Sequence, residues 1–302
     1  MIQPKVVAIC NTVVDHLVHV DKMPLPNGGA RILAESFQYG GNAATGIVTV
    51  GWQGTSAGIM GVVGDDPEGR AQYVDFQRHN VDTTHLLSVP GLYTGVNMCM
   101  SDKETGGRAF LGKARTGMRR FILPEEMNLD YIKGADCLML DNNNESTRLA
   151  AQIMKDKGGE VMFDASSWSE TQEAMLPYTT VYITSEFYLK RRYGEDVNIY
   201  DCCREMIAKG PHTVIFTLGE KGCVGVGPQG EFSLPAFKID VVDTTGAGDC
   251  FVSGFLTGLL RGRDIIECAE IAQAVSAYCI GAIGATTGIP DYNEIQKFIK
   301  NN

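Results

Sequence analysis

The chain has 302 residues, 44% of them hydrophobic, which supports a large core and excludes a disordered polypeptide. A formal net charge of −10 argues against nucleic acid or an anionic membrane surface as the main partner. The nine cysteines form no CxxC pair, and no apolar run approaches the roughly 18 residues of a membrane span, so a reduced, cytoplasmic protein is expected.

Residues 5–10 (KVVAIC) read as a buried strand. Residues 12–39 follow as a β-hairpin pattern with turn residues at Pro24, Pro26, Gly28 and Gly29. A helix is predicted over 42–51, a strand over 56–64 and a helix over 67–80. Residues 92–112 read as a second hairpin, with Val96, Met98 and Met100 on one face and Gly95, Asn97 and Cys99 on the other. Strands at 135–141, 160–165, 180–185 and 213–219 then alternate with helices near 145–157 and 196–209. That alternation predicts a mainly parallel sheet covered on both faces. The two hairpins predict a small separate sheet inserted twice into this α/β body. Beyond Asp249, apolar residues recur at helical spacing over 251–260, beside a strip of small residues made by Ser253, Gly254, Thr257 and Gly258. A second, buried helix is predicted over 264–280.

Residues 243–249, DTTGAGD, lead into the first of these two helices. Gly246, Ala247 and Gly248 would let backbone N–H groups point into the helix-terminal concavity, where the helix dipole favours an anion. Asp249 then puts a carboxylate beside that anion. The alternative is a turn in which Asp249 merely caps the helix. No GxxxxGK[ST] or HExxH motif occurs and no GxGxxG opens a helix, so 246–249 is the best phosphate cradle on offer.

Four stretches in order resemble the PfkB (ribokinase-like) carbohydrate kinases, over nearly the full length. DTTGAGDCFVSG resembles the family's C-terminal signature, and residues 39–69 (YGGNAATGIVTVGWQGTSAGIMGVVGDDPEG) its N-terminal one. CNTVVDHLVHVDKMP carries the early substrate residues as Asn11 and Asp15, and TLGEKG (217–222) matches the nucleotide-site strand and turn. The resemblance implies a three-layer α/β/α body with a mainly parallel central sheet and a small β-lid. It implies one kinase domain over 1–302, with the lid from about 12–40 and 92–112 and the body from about 1–11, 41–91 and 113–302.

The implied activity is ATP-dependent phosphorylation of a hydroxyl of a small carbohydrate. Asp249 would be the base and the backbone of Gly246, Ala247, Gly248 and Asp249 the anion hole. Asn11, Asp15, Gly40, Gly41, Asn42 and Asn97 would meet the sugar, with Asp15 at the end of the first strand. Ser185, Thr217, Gly219, Gly222 and Gln273 would meet the nucleotide. Magnesium is implied with the ATP phosphates, yet the usual Asn-x-x-Glu motif is replaced by TSEFYLKRRYG. Ser185 and Tyr188 fill its places, and Glu186 is the nearest carboxylate to act on magnesium through water. Asp243, Thr245 and the 283–288 loop would supply oxygens for potassium. Lys113 and Arg115 are candidate phosphate cations.

Arg31, Arg108 and Arg115 keep a phosphosugar substrate open, and a nucleoside is the other alternative within the family. The GGN at 40–42 resembles the ketohexokinase and fructokinase branches, which implies a neutral sugar or ketose. A non-catalytic sugar-sensing or scaffold paralogue is the reading from another class, and the intact Asp249 opposes it. The Val96, Met98 and Met100 face either covers the body of its own chain or meets a second lid in a homodimer. Neither nucleic acid nor a membrane is expected as a partner.

Overall fold

Strand β1 (Val6–Ile9) is buried along its whole length because both of its faces are covered. Val6 and Ala8 join one apolar layer, Val7 and Ile9 the other. The computed structural model, which describes residues 3–105, 108–112 and 120–302, extends this arrangement across a nine-stranded sheet. The remaining strands are β2 (Val13–Val20), β3 (Ile32–Gly40), β4 (Ala57–Gly64), β5 (Val81–Val89), β6 (Gly95–Asp102), β7 (Arg108–Gly112), β8 (Cys137–Leu140), β9 (Glu160–Ala165), β10 (Val181–Ser185), β11 (Thr213–Thr217), β12 (Cys223–Gly227) and β13 (Gly230–Leu234). The large sheet runs β13-β12-β11-β10-β9-β8-β1-β4-β5, parallel from β11 to β5 and antiparallel only at β12 and β13.

Ten helices are described: α1 (Asn42–Trp52), α2 (Pro67–Arg78), α3 (Leu129–Gly134), α4 (Glu145–Asp156), α5 (Glu170–Glu173), α6 (Glu186–Tyr193), α7 (Ile199–Ile207), α8 (Ala247–Leu259), α9 (Ile265–Ile280) and α10 (Tyr292–Asn301). Residues of α1, α2, α8 and α9 pack on one face of the sheet, those of α3, α4, α6 and α7 on the other. The small-residue strip of α8 sets its distance from α9. A Cβ at Gly254 would stand 2.8 Å from the Ala272 Cα, and one at Gly258 3.0 Å from the Cys268 Cα.

The two hairpins pair into a four-stranded sheet, β3-β2-β6-β7. Within it β2 and β6 are parallel, with Asp15 opposite Asn97. This sheet meets the body at Gly40 and Gly41. Gly41 has φ +112°, and a Cβ there would lie 2.9 Å from the Asn11 carbonyl oxygen, so the crossing depends on glycine. Sequence periodicity leaves β5 unassigned because this edge strand mixes Asp82, Thr83, Thr84 and His85 into its apolar pattern. The helix expected over 196–209 is shorter, opening after the Asn198 cap.

Strand order runs outward from β1 in both directions, to β4 and β5 on one side and β8 to β11 on the other. The β1/β8 boundary is therefore the topological switch point. Ligands of open α/β sheets bind in the crevice at the carboxyl ends of such strands.

Candidate active site

Several elements bring polar groups to this crevice. Asn11 follows β1, Asp141 follows β8, Asp164 lies near the end of β9, and Asp249 sits in the first turn of α8. The small sheet adds Asp15 and Asn97, joined by a 3.2 Å hydrogen bond from Asn97 Nδ2 to Asp15 Oδ1. Asp141 is fixed from two sides, accepting the Ala43 N–H at 3.0 Å and the Asn142 amide at 2.7 Å. Asn11 Oδ1 is buried without a protein partner, so it is open to an incoming donor.

The carboxylates perturb one another. Burial, and then the charge of Asp141, pushes the Asp249 carboxyl up to about 7; Asp15 adds to the rise and a hydrogen bond with Asp164 opposes it. Burial also raises Asp164 well above the ordinary range, with the charges of Asp249 and Asp141 adding to it. Asp15 and Asp141 are raised by burial too, against hydrogen bonds from Asn97 and the Ala43 N–H respectively. A carboxyl poised near neutrality can take a proton from a hydroxyl, as a general base must.

Beside Asp249 the start of α8 forms an anion cradle. Gly246 is the N-cap, with φ +76°, and a Cβ on it would collide with the Ala285 methyl. A Cβ on Gly248 would meet nothing within 4 Å. The first-turn N–H groups of a helix lack intrahelical partners and can bind an anion. The Ala247 N–H is directed to the Thr244 carbonyl at 3.3 Å, so the cradle is narrower than the predicted 246–249 set. The capping alternative also fails, because Gly246 holds the cap position and Asp249 the first turn.

A cleft of about 900 Å³ opens from this cradle, lined by Thr217, Gly219, Gly222, Phe237, Gly248 and Gln273 among others. It unites four of the five residues expected at the nucleotide. Gly222, at φ +93°, leaves no room for a Cβ against the Leu234 carbonyl, while the Gln273 amide donates to that same oxygen at 3.4 Å. The fifth, Ser185, is the N-cap of α6; its hydroxyl donates to the Ser166 carbonyl at 2.7 Å, and it does not line the cleft. Glu186 lies beside Gly219, 3.6 Å from where its Cβ would be, and pairs with Lys190 at 2.8 Å. Tyr188 cannot stand in for a metal-organising residue. It is fully buried, with its ring against Tyr182 and Phe216.

Other expected residues are placed as follows. Asp15 is not at the end of β1, as expected, but is the third residue of β2; Asn11 holds the strand-end position. Asn42 opens α1 behind the Gly41 cap, next to Ala43 and its bond to Asp141. Gly40 packs against the Thr45 hydroxyl, leaving no room for a side chain. Asp243 accepts from the Thr245 N–H, the Thr245 hydroxyl and the Gly284 N–H at 3.0, 2.8 and 3.0 Å, which gathers the proposed cation loop. Arg31 is exposed, Lys113 and Arg115 lie outside the described residues, and of Arg108 only the backbone is described. Asp141 and Asp164 were missed in the sequence. Each sits at the carboxyl end of an otherwise apolar strand (CLML, EVMF), a signal for a charge delivered to the sheet edge.

A family model described as pfkB family carbohydrate kinase matches residues 3–292. The chain belongs to this family. An uncharacterized sugar kinase of Archaeoglobus fulgidus is 30% identical to this pfkB-family chain, over 78% of it and 96% of the relative. The ribokinase of Haemophilus influenzae is 26% identical over 95% of each chain. A putative ribokinase II of E. coli, solved in complex with ATP and Mg²⁺, matches with a TM-score of 0.83 at 20% identity, covering 99% of this chain and 100% of its own. The pfkB-family chain is accordingly an ATP-dependent carbohydrate kinase with the ribokinase fold. Among the described residues, no helix is long and apolar enough to cross a membrane.

Proposed function

We propose that this kinase phosphorylates a hydroxyl of a neutral sugar, with Asp249 as base. The observation that carries the choice is the grouping of Asp15, Asp141, Asp164 and Asp249 around one crevice, each with a carboxyl pushed upward by burial. Carboxylates accept hydroxyl hydrogen bonds well and repel a second anion, so the site suits a polyol better than a sugar phosphate. Asp15, Asn97, Asn11 and Asn42 would orient the sugar. Asp249 takes the proton of the acceptor hydroxyl, whose oxygen bonds to the γ-phosphorus as the bond to the β–γ bridging oxygen breaks and ADP leaves. The first-turn N–H groups of α8 hold the equatorial oxygens during transfer.

ATP fits the 900 Å³ cleft, its phosphates toward Gly248 and its base toward Phe237 and Gln273. Magnesium would neutralise the phosphates when bound. Glu186, at the rim beside Gly219, suits a water-mediated role there, and among the described residues no three-ligand protein cage competes for the ion. Potassium, if bound, would sit by Asp243, Thr245 and the 283–288 loop, which the Gly284 N–H bond to Asp243 holds together. The chain acts as one kinase domain whose small sheet is a lid hinged at Gly40 and Gly41. Nine free, buried thiols suit a reducing cytoplasm.

A nucleoside is the second reading, and it rests on a cleft of about 220 Å³ on the sugar-facing side of the lid. There Leu17, His19, Cys99 and Ser101 face Asp243 and Ile283, leaving space for a substituent beyond a sugar ring. ADP release from a panel of neutral sugars, nucleosides and sugar phosphates, run in potassium and in sodium, tests the assignment. Turnover of a neutral substrate should drop about 100-fold or more in Asp249→Asn, with ligand affinities little changed. Full activity in that variant, or a preference for sugar phosphates, would refute the reading.

A further inference from the structure

Gln38, on β3 and two residues before the Gly40 and Gly41 crossing, is 8% exposed. Its side chain leaves the small sheet and enters the body loop at 283–287. Its Oε1 accepts the N–H groups of Ala285 and Thr286 at 2.6 and 3.3 Å, and its Nε2 donates to Thr287 Oγ1 at 3.1 Å and to the Ile283 carbonyl at 3.5 Å. Gly284 lies directly beneath the amide, which leaves no space for a Cβ at that position. One lid side chain therefore bonds four polar groups of this loop.

The same loop backs the phosphate cradle. Gly284 N–H donates to Asp243, whose other carboxylate oxygen holds the Thr245 N–H and hydroxyl, one residue before Gly246. The Ala285 methyl fills the space that a side chain on Gly246 would need. The Ala285 carbonyl accepts the thiols of Cys250, next to Asp249, and Cys279 at 3.4 and 3.5 Å. A bonded path thus runs from lid strand to loop to the first turn of α8. Any swing of β3 about its glycines carries Gln38 with it and releases the loop.

We propose that Gln38 is a positioning residue that makes the geometry of the phosphate cradle depend on lid seating. This rests on the kinase reading of the site above, and it adds that sugar and nucleotide ends are coupled through one amide. Two independent properties follow. The backbone of 244–249 is held by a side chain that touches neither ligand, and only ligands that reach the cradle sense its loss.

Hydrogen–deuterium exchange on the full chain without ligand tests the path directly. Gln38→Met keeps the volume and removes the hydrogen bonds; exchange at residues 284–286 and at the bonded amides of Thr245 and Ala247 should quicken about tenfold, the size expected from losing hydrogen bonds of ordinary net strength. Gln38→Glu keeps the Oε1 acceptor and should retain the protection of Ala285 and Thr286. In binding measurements with magnesium, the imido analogue AMP-PNP should bind Gln38→Met about tenfold more weakly, while adenosine, which lacks phosphates, binds as in the parent. Unchanged exchange at Thr245 and Ala247 in Gln38→Met overturns the proposal, as does equal loosening in Gln38→Glu and Gln38→Met. Failure of the parent protein to bind AMP-PNP would count against the kinase reading, and the exchange result would still decide the role of Gln38.

Discussion

A carboxyl held near 7 is only half ionised at neutral pH, so Asp249 should imprint its titration on the rate. Because the base must be deprotonated, kcat/KM for the acceptor should rise about tenfold per pH unit below 7 and level off above about 8. Asp141 is the largest charged contributor to that shift, so Asp141→Asn should move the acidic limb to lower pH by something on the order of a unit. The pH dependence of kcat/KM in both proteins measures this, and a limb that stays in place in Asp141→Asn would remove Asp141 from the account. At this scale the sequence was only partly readable. Asp249 and its glycines are contiguous, so their meaning survives in one short string. Asp141 and Asp164 come from separate strands and gain significance only when the parallel order of β8 and β9 sets them beside α8. Tyr188 misled for the opposite reason: its place in a motif-like spacing says nothing of the ring contacts that bury it.

The entry to α8 separates two glycines that look alike in the string GAG. Gly246 needs its left-handed backbone and the space taken by Ala285, whereas Gly248 faces the open cleft. Gly246→Ala should therefore lower stability by roughly 1–3 kcal/mol, from the strained backbone and the collision together. Gly248→Val should leave the melting temperature and circular dichroism close to the parent while raising the KM for ATP, since its side chain projects where phosphate must approach. Thermal melts and ATP saturation curves distinguish the two. A Gly248→Val protein that uses ATP normally would move the cradle elsewhere. The predicted elements were otherwise legible because most are long, strongly periodic and buried, as in α9 and β4. The short helices α3 and α5 and the polar edge strand β5 lack that periodicity, and packing rather than pattern fixes them; α6, α10, β12 and β13 were not read from the sequence either.

Across the whole molecule, the small sheet has two unlike faces. Asp15 and Asn97 face the crevice, while Val14, His16, Phe37, Tyr39, Met98 and Leu111 line an apolar groove of about 600 Å³ flanked by the start of α2. Phe37 and Leu111 are each more than half exposed, so the body leaves much of this face uncovered. We propose that a second copy of the chain covers this face, in which case light scattering gives twice the 32.8 kDa chain mass at micromolar concentration. Phe37→Glu with Leu111→Glu should reduce it to a monomer without unfolding it, and a monomeric parent protein would dismiss the dimer. The route of the chain through this sheet also limits how the protein can be rebuilt. Asp15 belongs to the first hairpin and Asn97 to the second, 82 residues later, yet the two share one hydrogen bond across a parallel pair. Neither hairpin is a cassette. Grafting one from a relative to change the preferred sugar would splice half a pocket onto the other half's register, so any exchange of specificity must move both insertions together.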